Sequence, residues 1–290
     1  MKIFITGGSG FIGKYLIPIF HEHEILCLSH SQHIENSAAN VKVINGDLTN
    51  PESYINELKN FKPDCCVHLA WYGLPDYSIR TNTKNLLAGI SLIESLAEVG
   101  CKKVFAVGSC WEYGDVQGEV KESDISNNLG IFASFKTSLQ KIYESVCSEA
   151  GINLIWGRIF FVYGPGQRKN SLIPSCYKSL KFGKELKIKN PFARNDFIYI
   201  LDVVDSIRVL VESEIKSGIY NIGSGKSSYV WEVVNYVAAN LGLPHPYKNM
   251  PIMVDGNWAE MSKMKKYDWK PKFSLESGIS NTIIALEENS

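Results

Sequence analysis

Three groups of residues in the sequence have the types and spacing to do chemistry. Gly7-Gly8-Ser9-Gly10-Phe11-Ile12-Gly13 sets glycines three apart directly after the apolar run Lys2–Thr6. Glycine permits a tight turn and lets the main chain approach a pyrophosphate, while a helix opening there offers unpaired N–H donors. Between a strand and a helix, this motif predicts a dinucleotide cradle. Ser109 stands four residues before Tyr113-Gly114, and Phe132-Ala133-Ser134-Phe135-Lys136 sets a ring and an amine one helical turn apart. Positions 132 and 136 share a helix face. Phe132, Phe135 and Leu139 make that stripe apolar, so Lys136 is expected at a site and not in solvent. The third group is cationic. Arg158 and Arg194 either line an anionic ligand or join structural ion pairs, and Arg168-Lys169 either hold a pyrophosphate or solvate a loop.

Elements of alternating type must position these groups. Strands are expected at Lys2–Thr6, 24–28, Val41–Asn45, 65–70, 103–107 and 153–156, and helices at 51–60, 80–99 and Ile131–Ala150. Asn50-Pro51-Glu52 reads as a helix start. Such alternation implies βαβ units and a parallel sheet: an α/β, Rossmann-type doubly wound fold. After Gly164 glycines, prolines and polar loops increase. Residues 1–164 are therefore expected to form the dinucleotide-binding domain, with segments returning at about 195–225. Residues 165–290 would mainly form a smaller, discontinuous C-terminal substrate domain.

The 290 residues are 45% hydrophobic and 21% charged, which excludes a disordered or fibrous chain. Thirty basic and thirty acidic residues cancel, so no global field exists to hold nucleic acid or an anionic membrane. No apolar run reaches the roughly 18 residues of a membrane helix. The N-terminus runs straight into a strand, which predicts no signal peptide. The seven cysteines lack metal-type CxxC pairs and read as reduced core residues of a cytoplasmic protein. His21, His23, His30 and His33 fall on a helix end, a strand and a loop, an arrangement that disfavours zinc.

Ordered markers then resemble the extended short-chain dehydrogenase/reductases of the NAD-dependent epimerase/dehydratase family, whose members act on nucleotide-activated sugars. After the glycine turn, Gly46-Asp47-Leu48 resembles the adenine-contacting pair. His68-Leu69-Ala70-Trp71 resembles the cofactor-lining loop, and Asn85 the asparagine of the helix behind the site. Gly108-Ser109-Cys110-Trp111-Glu112-Tyr113-Gly114 resembles the SSxxxYG stretch, which implies a catalytic hydroxyl at Ser109. Arg158 through Gly166-Gln167, Asn195-Asp196-Phe197-Ile198-Tyr199, Tyr220 through Gly225 and Trp269-Lys270-Pro271 resemble later family segments. The resemblance implies cofactor contacts from Gly7, Ser9, Gly10, Phe11, Ile12, Gly13, Ser29, His30, Asp47, Leu48, Leu69, Ala70, Trp71, Asn85 and Lys136. It implies substrate contacts from Cys110, Trp111, Phe161, Gln167, Arg168 and Arg194, no metal, and a homodimer through the helices 80–99 and Ile131–Ala150.

Three departures narrow the activity that the resemblance implies. The family's YxxxK tyrosine is Phe132, which has no proton to exchange. A positioned acid–base group contributes about 10²–10⁴ in rate, so Phe132→Tyr is expected to speed turnover by that factor. The Asp-Glu that dehydratases carry after the serine is Cys110-Trp111, which disfavours 4,6-dehydration. The asparagine before the VYG segment is Phe161. Together these resemble nucleotide-sugar 4-ketoreductases such as CDP-abequose and CDP-paratose synthases, which would serve deoxysugar and surface-polysaccharide (lipopolysaccharide or capsule) biosynthesis. The expected reaction is reduction of a 4-keto-6-deoxy nucleotide sugar. Leu28-Ser29-His30-Ser31 ends the second strand without a carboxylate, which favours NADP(H) over NAD(H). Two alternatives stay open: a 4-epimerase with tightly held NAD, and a non-catalytic dinucleotide or sugar-nucleotide sensor.

Overall fold

A computed structural model of the chain describes residues 1–30, 38–248, 250–251 and 256–288. Ser31 and His33 lie outside the described residues. The chain divides into two compact units. Met1–Gly114, Ile125–Arg158 and Val204–Tyr220 form the first; Asp115–Asp124, Ile159–Val203 and Asn221–Ser290 form the second.

The first unit is built on a seven-stranded sheet. Its first five strands are β1 (Lys2–Thr6), β2 (Glu24–Ser29), β3 (Val41–Asn45), β4 (Cys65–His68) and β5 (Lys103–Ser109). The order across the sheet is Gly218–Ile222, Asn153–Ile159, β5, β4, β1, β2, β3. β1 pairs in parallel with both β2 and β4, so the strand order reverses at β1. In open α/β sheets that switch point opens a crevice beyond the strand carboxyl ends, where ligands bind. Thr6 and His68 end the two strands there, joined Oγ1 to Nδ1 at 2.7 Å.

The helices are α1 (Phe11–Leu16), α2 (Ile55–Phe61), α3 (Ile79–Glu98) and α4 (Ile131–Ala150). α4 buries Ala133, Lys136, Leu139, Gln140, Tyr143 and Cys147, a stripe of helical period, and ends at Gly151 in the left-handed conformation. Two polar residues lie on that buried stripe, which marks them for a task other than packing. α3 packs on α4, with Gly89 facing Leu139 and accepting a hydrogen bond from Tyr143 Oη at 3.0 Å. Beneath them Phe4, Leu26, Cys66, Leu92, Leu96, Val104 and Trp156 form the core. Truncating such a leucine to alanine costs about 2–5 kcal/mol.

Several expectations shift in detail. The strand expected at 65–70 ends at His68, and the one expected at 103–107 runs on to Ser109. The helix expected at 51–60 divides into a 3₁₀ turn, Pro51–Ser53, and α2, with no side-chain cap from Asn50. The division between units falls after Arg158 and not at 164, and the returning segment is Val204–Tyr220. Asp115–Asp124 belongs to the second unit because Gly118–Val120 pairs in parallel with Gly256–Ala259, a partner far along the chain. Within the second unit, Phe161–Tyr163 pairs with Phe197–Tyr199, and Arg194–Asn195 joins the strand at Gly256. All seven cysteines are buried thiols, and no described helix is long and apolar enough to cross a membrane. Among the described residues no His, Cys, Asp or Glu group is placed to hold a metal ion.

Candidate active site

β1 delivers the chain into the glycine turn at Gly7, whose φ of +77° is a conformation that favours glycine. A Cβ there would stand 2.7 Å from Ala70 N, and one at Gly13 would stand 2.4 Å from the Gly7 carbonyl. Both clashes are with main chain, so the turn is a cradle that side chains would fill. Ser9, Phe11 and Ile12 are half-buried around it and Gly10 is exposed. Leu69 N donates to Thr6 O at 3.1 Å, which seats the 69–71 loop beside the turn.

Asn85 on α3 fixes that loop. Its Oδ1 accepts from Tyr72 N at 2.6 Å, and its Nδ2 donates to Tyr72 O and Thr81 O. Its polar atoms are thus committed to the main chain, and its part at the site is to hold Trp71 in place. Trp71 Nε1 is buried without a hydrogen-bond partner among the described residues.

At the end of β2, Ser29 is buried and His30 exposed. His30 Nδ1 lies 3.6 Å from Asp47 Oδ2. Slight burial would raise the Asp47 pKa, but the Thr49 hydrogen bonds, His30 and Lys84 outweigh it and hold the carboxyl below its ordinary value. A carboxylate therefore faces the end of β2 after all, contributed by the residue that follows Gly46. Leu48 packs on the core.

The second half of the first-unit site begins where β5 ends. Ser109 caps the 3₁₀ turn Cys110–Tyr113: its Oγ accepts from Trp111 N at 3.2 Å. Its main-chain N–H donates to Glu112 Oε1 at 2.7 Å. Accepting from Trp111 leaves the hydroxyl hydrogen for donation to a carbonyl. Glu112 is buried and also accepts from Trp156 Nε1 and Arg158 Nε, the latter at 2.9 Å. Arg158 is buried against the Tyr113 ring, 4.5 Å from its centroid. Burial opposes its charge, but Glu112 and Tyr113 more than compensate and raise its pKa. Of the two options the sequence left open for Arg158, the ion pair is the one observed.

Lys136 is 5% exposed. Its Nζ donates to Val107 O at 2.7 Å, two residues before Ser109, and stands 3.8 Å from the Trp71 ring centroid. Burial lowers its pKa to about 7, with Glu112 opposing. Burial, and then the Lys136 charge, lower the His68 pKa to about 3, so His68 is neutral. One turn before Lys136, Phe132 meets three aromatic rings edge-on or nearly so: Trp71 at 5.6 Å, Tyr77 at 5.3 Å and Trp111 at 5.6 Å. Tyr77 also lies 5.2 Å from Trp111. Sequence reasoning missed Tyr77, which sits in a loop outside every motif. Cys110, expected to line a substrate, is only 4% exposed, whereas Trp111 is 43% exposed.

In the second unit, Phe161 is half-buried against Phe197, and Gln167 donates to Val162 O while its Oε1 is buried and unpartnered among the described residues. Arg168 is exposed. Arg194 donates to Ser227 Oγ and lies about 5 Å from the ring centroids of Tyr229 and Trp258. A cavity of about 500 Å³ is lined by residues that include Asn170, Ser175, Ser179, Lys187 and Lys189.

The order of strands and the glycine turn at the switch point define a Rossmann-type dinucleotide-binding fold. Residues 3–223 match the model of the NAD dependent epimerase/dehydratase family, and the chain belongs to that family. It is 26% identical to the dTDP-6-deoxy-L-talose 4-dehydrogenase (NAD(+)) of Aggregatibacter actinomycetemcomitans, over 87% of this chain and 95% of that one. It is 25% identical to the dTDP-4-dehydro-6-deoxyglucose reductase of Escherichia coli, over 97% and 96%. The solved structure of dTDP-glucose 4,6-dehydratase from Bacillus anthracis, in complex with NAD, superposes with a TM-score of 0.87 at 23% identity, over 100% and 97%.

Proposed function

We propose that this chain reduces the C4 ketone of a nucleotide-activated 4-keto-6-deoxy sugar, with a nicotinamide dinucleotide as hydride donor. The residues present fit the dinucleotide. The Gly7–Gly13 turn has no space for a Cβ at Gly7 or Gly13, so its main chain stays uncovered there, and Trp71 offers a buried N–H without a partner among the described residues. When bound, the dinucleotide supplies the hydride. Gly7, Ser9, Gly10 and Gly13 would hold its pyrophosphate, and Ser29, His30, Asp47 and Leu48 its adenosine end. Leu69, Ala70 and Trp71 would flank the nicotinamide. Ser109 would donate to the C4 oxygen, and the Lys136 amine would hold the nicotinamide ribose. Trp111 is proposed to contact the sugar nucleotide.

One observation carries the choice of reduction over dehydration. The positions after Ser109 are a buried cysteine and a tryptophan packed on Phe132, and the next carboxylate, Glu112, is locked in a buried ion pair. Glu112 is thus engaged and not free to eliminate water. The two relatives named for hydride exchange at C4 support the same reaction. The test follows oxidation of NADPH and NADH with CDP-, dTDP-, GDP- and UDP-linked 4-keto-6-deoxy sugars. Reduction of at least one is expected, and dehydration of a 4-hydroxy sugar nucleotide in place of reduction would overturn the reading.

For the cofactor, Ser29 and His30 support NADP(H), and Asp47 beside His30 opposes it. Competitive titration is expected to give tighter NADPH binding, with Asp47→Asn tightening it further by about tenfold, the effect of roughly one ionic contact. Tighter NADH binding in the unaltered chain would reverse the assignment. It would favour the 4-epimerase alternative, which co-purified NAD would support. A homodimer through α3 and α4 is proposed with the fold family as its basis, since Ile79, Leu87 and Ile131 leave apolar side chains exposed on those helices.

A further inference from the structure

We propose that Tyr77 supplies the proton that position 132 cannot, donating its phenolic hydrogen to the C4 oxygen as the ketone is reduced. This rests on the reductase reading above. Phe132 keeps its ring where the resemblance places an acid, and a phenol on a different element packs against that ring. Among the described residues in ring contact with Phe132, only Tyr77 carries a hydroxyl. Tyr77 is half-buried and also touches Trp111, the residue whose main-chain N–H donates to Ser109 Oγ.

Its main chain is held on both sides. Asp76 accepts from Ser78 N at 2.9 Å, from Ser78 Oγ at 3.1 Å and from Thr81 Oγ1 at 2.5 Å. Ser78 in turn caps α3 by accepting from Thr81 N. The tyrosine therefore sits between two anchored residues at the mouth of a 20-residue helix, and its position is set before any ligand arrives. Three other side-chain donors of the first unit are buried. Tyr113 is wholly buried under Arg158, Tyr143 is wholly buried and donates to Gly89 O, and Cys110 is 4% exposed.

In the step, C4 of the sugar accepts a hydride, the C–O π bond opens, and the oxygen takes the proton from the Tyr77 hydroxyl. The ketone is reduced to a secondary alcohol, the reduced nicotinamide dinucleotide is oxidised, and the phenolate regains a proton from water. Atoms and charge balance.

The experiment compares four forms: unaltered, Tyr77→Phe, Phe132→Tyr, and the double variant. Hydride transfer is followed in single turnovers with the panel of 4-keto-6-deoxy nucleotide sugars, and dissociation constants for NADPH and the sugar nucleotide are measured by fluorescence titration. Tyr77→Phe is expected to slow the hydride step by about 10²–10⁴, with both dissociation constants within about threefold of the unaltered values. Phe132→Tyr is expected to restore the rate in the Tyr77→Phe background. A merely structural role for Tyr77 would shift binding and would not be rescued from position 132. An unaltered rate in Tyr77→Phe overturns the assignment. If only forms carrying Phe132→Tyr react, the reductase reading stands and Tyr77 is not the donor. If none of the four reacts with any member of the panel, the reductase reading fails and takes the assignment with it.

Discussion

Arg158 Nε and Glu112 Oε2 are 46 positions apart in the chain and 2.9 Å apart in the fold, with neither side chain more than 7% exposed. The same carboxylate receives the Ser109 N–H, so a buried ion pair sets the main chain of the proposed carbonyl donor.

Removing the acid leaves an uncompensated buried guanidinium. Glu112→Ala is expected to cost about 3–5 kcal/mol of unfolding free energy. Urea denaturation of the two forms checks this, and a cost below about 1 kcal/mol, typical of an exposed pair, would show that water reaches Arg158.

Gly10→Asp is expected to weaken dinucleotide binding by at least about 100-fold, because a carboxylate would enter the pyrophosphate path with like charge. Gly10 is exposed and its Cβ would approach only the Gly7 carbonyl, at 3.1 Å, so the fold should survive. Fluorescence titration together with a melting curve separates the two effects. Unchanged affinity would remove the turn from the cofactor site.

Lys136 makes stability depend on pH in a defined window. Its folded pKa, lowered by burial to about 7, lies below the value of about 10.4 for an unfolded lysine. Between those values the unfolded chain holds a proton that the folded chain lacks, so stability from this group rises with pH, by up to about 1.4 kcal/mol per unit. Below the folded pKa the contribution is flat. Other buried groups titrate too, so the observable is the difference between the unaltered chain and Lys136→Met. In urea denaturation that difference should shift in favour of the unaltered chain as pH rises from about 7 to 10. A constant difference would mean the amine stays charged in the folded state.

What the sequence reveals depends on how local the cause is. α4 has the bounds its 3.6-residue pattern predicts, and Lys136 stands out as a cation on an apolar stripe. The glycine turn is legible because three glycines, a strand and a helix are adjacent. The Glu112–Arg158 pair is not, since neither residue carries a mark of its partner. The strand Gly118–Val120 belongs to the second unit through a pairing with residues 257–259, which no periodicity encodes. Asp47 approaches His30 only because β2 and β3 lie side by side. Tyr77 reaches Phe132 through a loop whose course is set by Asp76, Asn85 and α3.

In the second unit the buried carboxylate of Asp196 accepts from Ser224 N, Ser224 Oγ, Gly225 N and Ala259 N, at 2.6 to 3.1 Å. Three stretches of chain that are distant in sequence share one acceptor. None of them can fray alone, because lifting any one strips a buried charge of a donor that water cannot replace without opening the others. The 194–199, 221–225 and 256–259 stretches therefore form one cooperative opening unit, whose amides exchange with solvent together.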